Sequence, residues 1–278
     1  MSLSIIPFEH AFGAEISGVD ITKPIDDAVY GAIRTAFEEH SVLVFRDQPF
    51  DDESQIEFSQ RFGPVEIVTK TRVGGGGGTL IADISNVDRD SDDIMPVDGD
   101  VMTYRSGNEM WHTDSSFRRV PAMASMLSGR EVPPVGGQTE FASLRVAYSR
   151  LEADKQTELE DLVAVHDYTY SRGLEGSLLS KAQQNELPPV QQKVVRTNPA
   201  NGKKNYFTAS QASHIVGWPI EQRRAYMKDL VARATRPEDI YSHEWGQKIW
   251  SPRITGARCI VAARGKNPAI AGLCAAPR

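Results

Sequence analysis

His112 and Asp114 stand two residues apart in W-H-T-D-S-S-F, Trp111 to Phe117. If the chain from Met110 to Ser115 is extended, residues i and i+2 project to one face. The imidazole and the carboxylate then lie together, and Trp111 and Thr113 face the other way. One imidazole nitrogen and one carboxylate oxygen are two legs of the two-histidine, one-carboxylate set that holds non-haem Fe(II). Three ligands on one face leave three positions open for cosubstrate and oxygen. Spacing alone does not decide the matter: with six histidines in 278 residues, a His-x-Asp arises by chance in roughly one chain in three. A surface histidine beside a capping carboxylate is the competing reading.

The elements that must position this pair are short. Asp26 or Asp27 can cap a helix running to about His40, with Val29, Ile33 and Phe37 on one face. V-L-V-F, Val42 to Phe45, reads as a buried strand. Asp51 opens a second helix with Ile56 and Phe62 inward, stopped by Gly63-Pro64. Gly74 to Gly78 lacks the Lys-Ser/Thr pair of a phosphate loop and reads as a mobile loop that could cover a site. Further strands are expected at Leu80 to Ile84, Ala122 to Leu127, Gln138 to Phe141, Val190 to Arg196 and Asn205 to Ala209. The last two flank a hairpin turn at Asn201-Gly202. Helices are expected over Leu144 to Val165, with a break, and over Pro219 to Ala234, where Pro219 suits the first helical position and Ile220, Tyr226, Leu230 and Ala234 share a face. Short strands among helices, without alternating βαβ units, imply a mixed α+β fold built on a β-sandwich or jelly roll.

Composition narrows the function. The net charge of -6 argues against nucleic acid as the main partner. No apolar run is long enough to span a membrane. The first residues show no basic region followed by an apolar one, and two cysteines make no disulfide framework. The expected compartment is the cytoplasm. From Gly246 to Arg278 the character changes: these 33 residues hold no Asp or Glu, although the chain has 37, and they hold both cysteines, Cys259 and Cys274.

Around the pair, N-E-M-W-H-T-D-S-S-F (from Asn108) and V-P-P-V-G-G-Q-T-E-F (from Val132) resemble the taurine dioxygenase and 2,4-dichlorophenoxyacetate dioxygenase family of Fe(II)- and 2-oxoglutarate-dependent enzymes. The resemblance runs from about Gly13 to Trp245. It includes S-V-L-V-F-R-D-Q at Ser41, F-S-Q-R-F-G-P at Phe58, A-D-I-S-N-V at Ala82, N-E-L-P-P-V at Asn185, A-S-H-I-V-G at Ala212 and S-H-E-W at Ser242. It is nearer to the phenoxyacetate branch. It implies a double-stranded β-helix (jelly roll) with surrounding helices over residues 1–245. It also implies His112 and Asp114 as iron ligands, Thr139 as a hydrogen-bond partner of the distal carboxylate of 2-oxoglutarate, and Asn108 as a residue lining the cosubstrate pocket. Lys70 and Ser116 match positions that contact an acidic substrate. The implied reaction hydroxylates a small acidic molecule, an aryloxyalkanoate-like carboxylate or a sulfonate, while 2-oxoglutarate and oxygen give succinate and CO2. Hydroxylation beside an ether oxygen would give a hemiacetal that collapses to a phenol and glyoxylate. The resemblance also leaves a homo-oligomer open.

The same family has a second ligand histidine, in approximately D-L-V-x-W-D-N-R-x-x-L-H-R-G-R. Beyond it lies an arginine in R-x-M-R-R-T-T that grips 2-oxoglutarate. Neither is spelled here. After His112 come only His166, His214 and His243, and the last two resemble residues the family carries besides its ligand. A one-base slip between about Trp245 and Lys248 would account for this. Join the third base of each codon to the first two of the next. Lys248, Ile249 and Trp250 then permit D-L-V. Arg253 onward permits D-N-R-R-A-L-H-R-G-R-P-W-E, with the histidine spanning Cys259 and Ile260. Leu273 to Pro277 permit M-R-R-T-T. On this reading residues 246–278 are an aberrant tail in place of core strands, and the polypeptide turns over little. A metal-dependent hydrolase, active without oxygen or 2-oxoglutarate, and a catalytically dead member that only binds are the alternatives.

Overall fold

The computed structural model describes residues 2–68, 78–82, 84, 91, 93–96, 98–99, 109–129, 136–173 and 179–245. It also describes the backbone of two strands, Arg258–Val261 and Gly272–Ala275. The elements are β1 (Ser4–Pro7), β2 (Ala14–Ser17), α1 (Asp27–His40), β3 (Val42–Phe45), α2 (Asp52–Gln60), β4 (Ser125–Ser128), β5 (Thr139–Ser143), α3 (Leu144–Ser149), α4 (Ala153–Glu160) and β6 (Val163–His166). Then follow α5 (Tyr168–Gly173), α6 (Lys181–Glu186), β7 (Val190–Lys193), β8 (Val195–Thr197), β9 (Lys204–Tyr206), β10 (Ala212–Ile215), α7 (Ile220–Ala234), β11 (Tyr241–His243), β12 (Arg258–Val261) and β13 (Gly272–Ala275). They form sheets in the orders β1-β2-β3-β12-β4, β10-β6-β7, β11-β5-β13 and β8-β9. Apart from the parallel β2/β3 pair, the strand pairs are antiparallel.

β3 shows why the run V-L-V-F is continuous. Leu43 and Phe45 pack with Ile33 and Phe37 of α1 and with Phe58 and Phe62 around α2. Val42 and Val44, on the opposite face, pack with Phe12 and with Phe141 of β5. A strand buried on both faces needs no polar alternation. A further core gathers Leu144, Leu159, Tyr206, Phe207, Ile215 and Leu230 beneath α7.

α1 begins where its cap chemistry says it should, with the Asp26 side chain accepting from Val29 N at 2.7 Å. Its last carbonyls are taken by a side chain 106–107 residues away: the buried Arg145 donates to Glu38 O at 2.8 Å and to Glu39 O. A cation at a helix C-terminus also suits the helix dipole. Arg145→Met is expected to lose about 3 kcal/mol, lowering Tm by roughly 6–12 °C in a chain of this size; a thermal melt followed by circular dichroism checks it.

Several expectations are corrected. Leu80 to Ile84 is no strand over its described residues, and Leu80 and Ile84 are exposed. The helical region from Leu144 ends at Glu160. V-A-V-H then alternates in burial and pairs with β7 and β10, so period two wins. Pro219 precedes α7 as its N-cap. The tail itself supplies two strands: β12 lies between β3 and β4, and β13 lies beside β5. Ladder bonds are made by backbone groups, so short stretches such as R-C-I-V can pair whatever their side chains. Residues 69–77, with most of the glycine run, lie outside the described residues, as does the mobile-loop expectation placed on them. At its edge Gly78 N donates to Val68 O and Val68 N to Thr79 O.

Candidate active site

The pair is together. His112 Nε2 lies 3.3 Å from Asp114 Oδ1. The other ring nitrogen, Nδ1, sits 2.8 Å from Met110 O. A carbonyl can only accept, so Nδ1 carries a proton, and Nε2 is the nitrogen that faces the carboxylate and that a metal would take. This is the tautomer a metal-binding Nε2 requires, with the backbone supplying the orienting bond. Burial works to raise the Asp114 pKa, yet the bond and charge of His112, a bond from Ser125 and the charge of Arg172 hold it below the usual carboxylate value. A carboxylate kept ionised is what a cation needs.

Two clamps hold the turn that carries Asp114. Ser115 takes φ 54°, in the left-handed region that non-glycine residues avoid. Its hydroxyl donates to Glu66 Oε2 at 2.7 Å, while Glu66 Oε1 lies 2.6 Å from Arg118 Nε. On the other side, the Gln192 amide donates to Ser116 O at 3.2 Å and to Arg118 O at 2.8 Å. Ser116 itself is fully buried, and its hydroxyl has no hydrogen-bond partner among the described residues.

Thr139 opens β5, opposite His243 of β11. Its Oγ1 accepts from Trp245 Nε1 at 2.9 Å. The indole stands edge-on to His243, with centroids 4.7 Å apart. His243 Nδ1 lies 3.0 Å from the Tyr241 hydroxyl. Asn108 and Lys70 lie outside the described residues. Sequence reasoning quoted Trp245 within S-H-E-W without giving it a role, and it missed Ser125, Arg172, Glu66 and Gln192. No spacing rule links Trp245 to a threonine 106 residues earlier.

His112 and Asp114 fit two of the three protein ligands of a facial iron site. Among the described residues, no group of three or more His, Cys, Asp or Glu could hold a metal ion.

Residues 4–248 match the model of the family described as taurine catabolism dioxygenase TauD, TfdA family. The chain belongs to the TauD/TfdA family. It is 38% identical, over 95% of both chains, to an alpha-ketoglutarate-dependent 2,4-dichlorophenoxyacetate dioxygenase of Cupriavidus pinatubonensis. It is 33% identical to an (S)-phenoxypropionate/alpha-ketoglutarate-dioxygenase of Sphingobium herbicidovorans, over 88% of this chain and 83% of that one. Among solved structures it resembles AAD-2 in complex with Mn(II) and N-oxalylglycine, with a TM-score of 0.83, 31% identity, and 99% and 97% of the two chains covered. The jelly-roll core and the membership in an enzyme family expected from the motifs are thereby shown. The reading of a catalytically dead member finds no support in these relatives.

Proposed function

We propose that this TauD/TfdA member is an Fe(II)- and 2-oxoglutarate-dependent dioxygenase that hydroxylates a small acidic molecule of the aryloxyalkanoate type, or a sulfonate, with release of succinate and CO2. The observation that carries the reading is His112 Nε2, fixed by Met110 O and turned to the Asp114 carboxylate. These two residues would hold the iron, which supplies oxygen activation when bound. Thr139 would bond the distal carboxylate of 2-oxoglutarate, Asn108 would line its pocket, and Lys70 and Ser116 would lie near the acidic group of the substrate. Trp245 has a part in this. An indole N–H only donates, so it occupies a lone pair of Thr139 Oγ1 and leaves the threonine proton to be given to a carboxylate. Trp245→Phe is expected to raise the half-saturating 2-oxoglutarate concentration about fivefold, the worth of one net hydrogen bond; a titration of 2-oxoglutarate binding checks it. The proposed compartment is the cytoplasm.

We further propose that residues 246–278 are read one base out of frame. The acids stop after Glu244, the family match stops at residue 248, and the third metal donor is absent from the described residues. A histidine encoded across Cys259 and Ile260 would fall in β12. That strand pairs with β4, whose first residue, Ser125, bonds Asp114.

One experiment addresses both readings. The gene is sequenced across codon 246, and both the chain as written and the frame-restored chain are assayed for oxygen uptake with 2-oxoglutarate and a panel of aryloxyacetates and sulfonates. Expected is a single-base slip, and turnover at least 100-fold higher after restoration. A frame that no one-base change converts to a ligand histidine would end the slip proposal. Activity independent of 2-oxoglutarate and oxygen would point to a hydrolase and end the dioxygenase reading.

A further inference from the structure

We propose that Gln192 is a positioning residue for the metal pair, acting through the backbone of the turn that carries Asp114. The inference rests on the reading of His112 and Asp114 as ligands. Gln192 lies on β7, is 7% exposed, and reaches a segment 74–76 residues away in sequence. Its Nε2 spends both protons on that segment, one on Ser116 O and one on Arg118 O. These carbonyls lie two and four residues beyond Asp114, in a turn whose own bonds are few: Ser116 N to Thr113 O at a long 3.4 Å, and Arg118 N to Ser115 O at 2.9 Å. A backbone forced through a left-handed residue at Ser115 and held so lightly from within needs an outside anchor to keep Asp114 within 3.3 Å of the imidazole.

The amide cannot turn over and lose this grip. Its Oε1 accepts from the Arg196 guanidinium, which itself lies 3.7 Å above the Phe207 ring. Carbonyls on one side and a cation on the other admit one orientation only. Phe207 belongs to the core beneath α7 and stacks on His166 at 5.2 Å. The core is thus joined to the metal turn by a row of three side chains, Phe207, Arg196 and Gln192. Supporting contacts of this kind commonly change metal affinity 10–100-fold when removed.

Gln192→Glu is the decisive variant. It keeps the shape and the Arg196 contact, now as an ion pair, but a carboxylate cannot donate to the two carbonyls. In the metal-free chain, hydrogen exchange at the Ser116 and Arg118 amides is expected to speed at least tenfold, with β3 and α7 unchanged. Mn(II) affinity, read from the electron spin resonance signal of the free ion, is expected to fall about tenfold. Arg196→Met, which frees the amide to rotate, should give smaller changes of the same sign and stands in if Gln192→Glu does not fold. Unchanged exchange at residues 116 and 118 would overturn the proposal, as would a uniform rise across the whole chain, the mark of a merely structural role. If neither the unaltered chain nor the frame-restored chain binds Mn(II), the ligand reading fails, while the exchange measurement still judges the anchor.

Discussion

His112→Ala weakens binding of Mn(II) or Fe(II) at least 100-fold, with Tm shifted by only a few degrees. The ring contributes Nε2, the nitrogen 3.3 Å from Asp114 Oδ1. Without it a half-exposed carboxylate remains, and a single carboxylate holds a divalent ion little better than water does. Loss of an orienting contact alone costs about 10–100-fold, and loss of a ligand costs more. The stability change is modest because the ring's bond among the described residues goes to a neighbouring backbone carbonyl, Met110 O, which water admitted by the smaller side chain can take over. Titration of the metal against the free-ion spin resonance signal, with a melt of the same sample, measures both. Affinity within threefold of the parent would remove His112 from the ligand set, and with it the proposed chemistry.

Acid unfolds this protein well above the range where its carboxylates titrate. Two histidines are completely buried. Burial, aided by the charge of Arg196, pushes His166 down to about 3, and the Phe207 backbone offsets only part of this. Burial, aided by Arg46, pushes His243 down to about 4. His166 lies against Phe207, and neither ring nitrogen has a hydrogen-bond partner among the described residues. In the unfolded chain both titrate near 6.5. Below that pH the unfolded state binds protons that the folded state refuses, so stability falls as pH falls, beginning near 6.5 and ending only at the folded values near 4 and 3. At pH 5 each histidine costs about 2 kcal/mol, or about 4 kcal/mol together. The ion-paired carboxylates Glu39, Glu160 and Asp239 are lowered from values near 4, so they lose their contribution only in stronger acid. Urea denaturation at pH 7.5 and pH 5.0 separates the two ranges. A midpoint unchanged between them would show that the imidazoles are charged inside the fold; His166→Gln should halve the slope.

Local chemistry was legible wherever one short segment decides its own shape. Asp26 and Asp51 accept from the first-turn amides of their helices as their sequence positions require. Asn201-Gly202 turns the β8/β9 hairpin, with Gly202 at φ 70°. His112 and Asp114 meet as their spacing suggested, but Asp114 sits in a turn rather than in the extended backbone the reading assumed. The reading failed where a distant partner overrode local preference. Val163–His166 is helix-compatible by itself, yet it is a strand because β7 and β10 offer ladders on both edges. Leu80 to Ile84 looks like a strand, but no described strand pairs with it.

The sequence by itself determined which groups could meet a metal, where helices begin, and where the chain's composition breaks after Trp245. The tertiary structure alone decided what holds those groups in place: Trp245 on Thr139, Glu66 on Ser115, Gln192 on the carbonyls beyond Asp114. Contacts between residues 49 to 106 positions apart leave no periodicity to read. Their partners are backbone carbonyls and single hydroxyls, which every sequence has in plenty, and only packing selects among them.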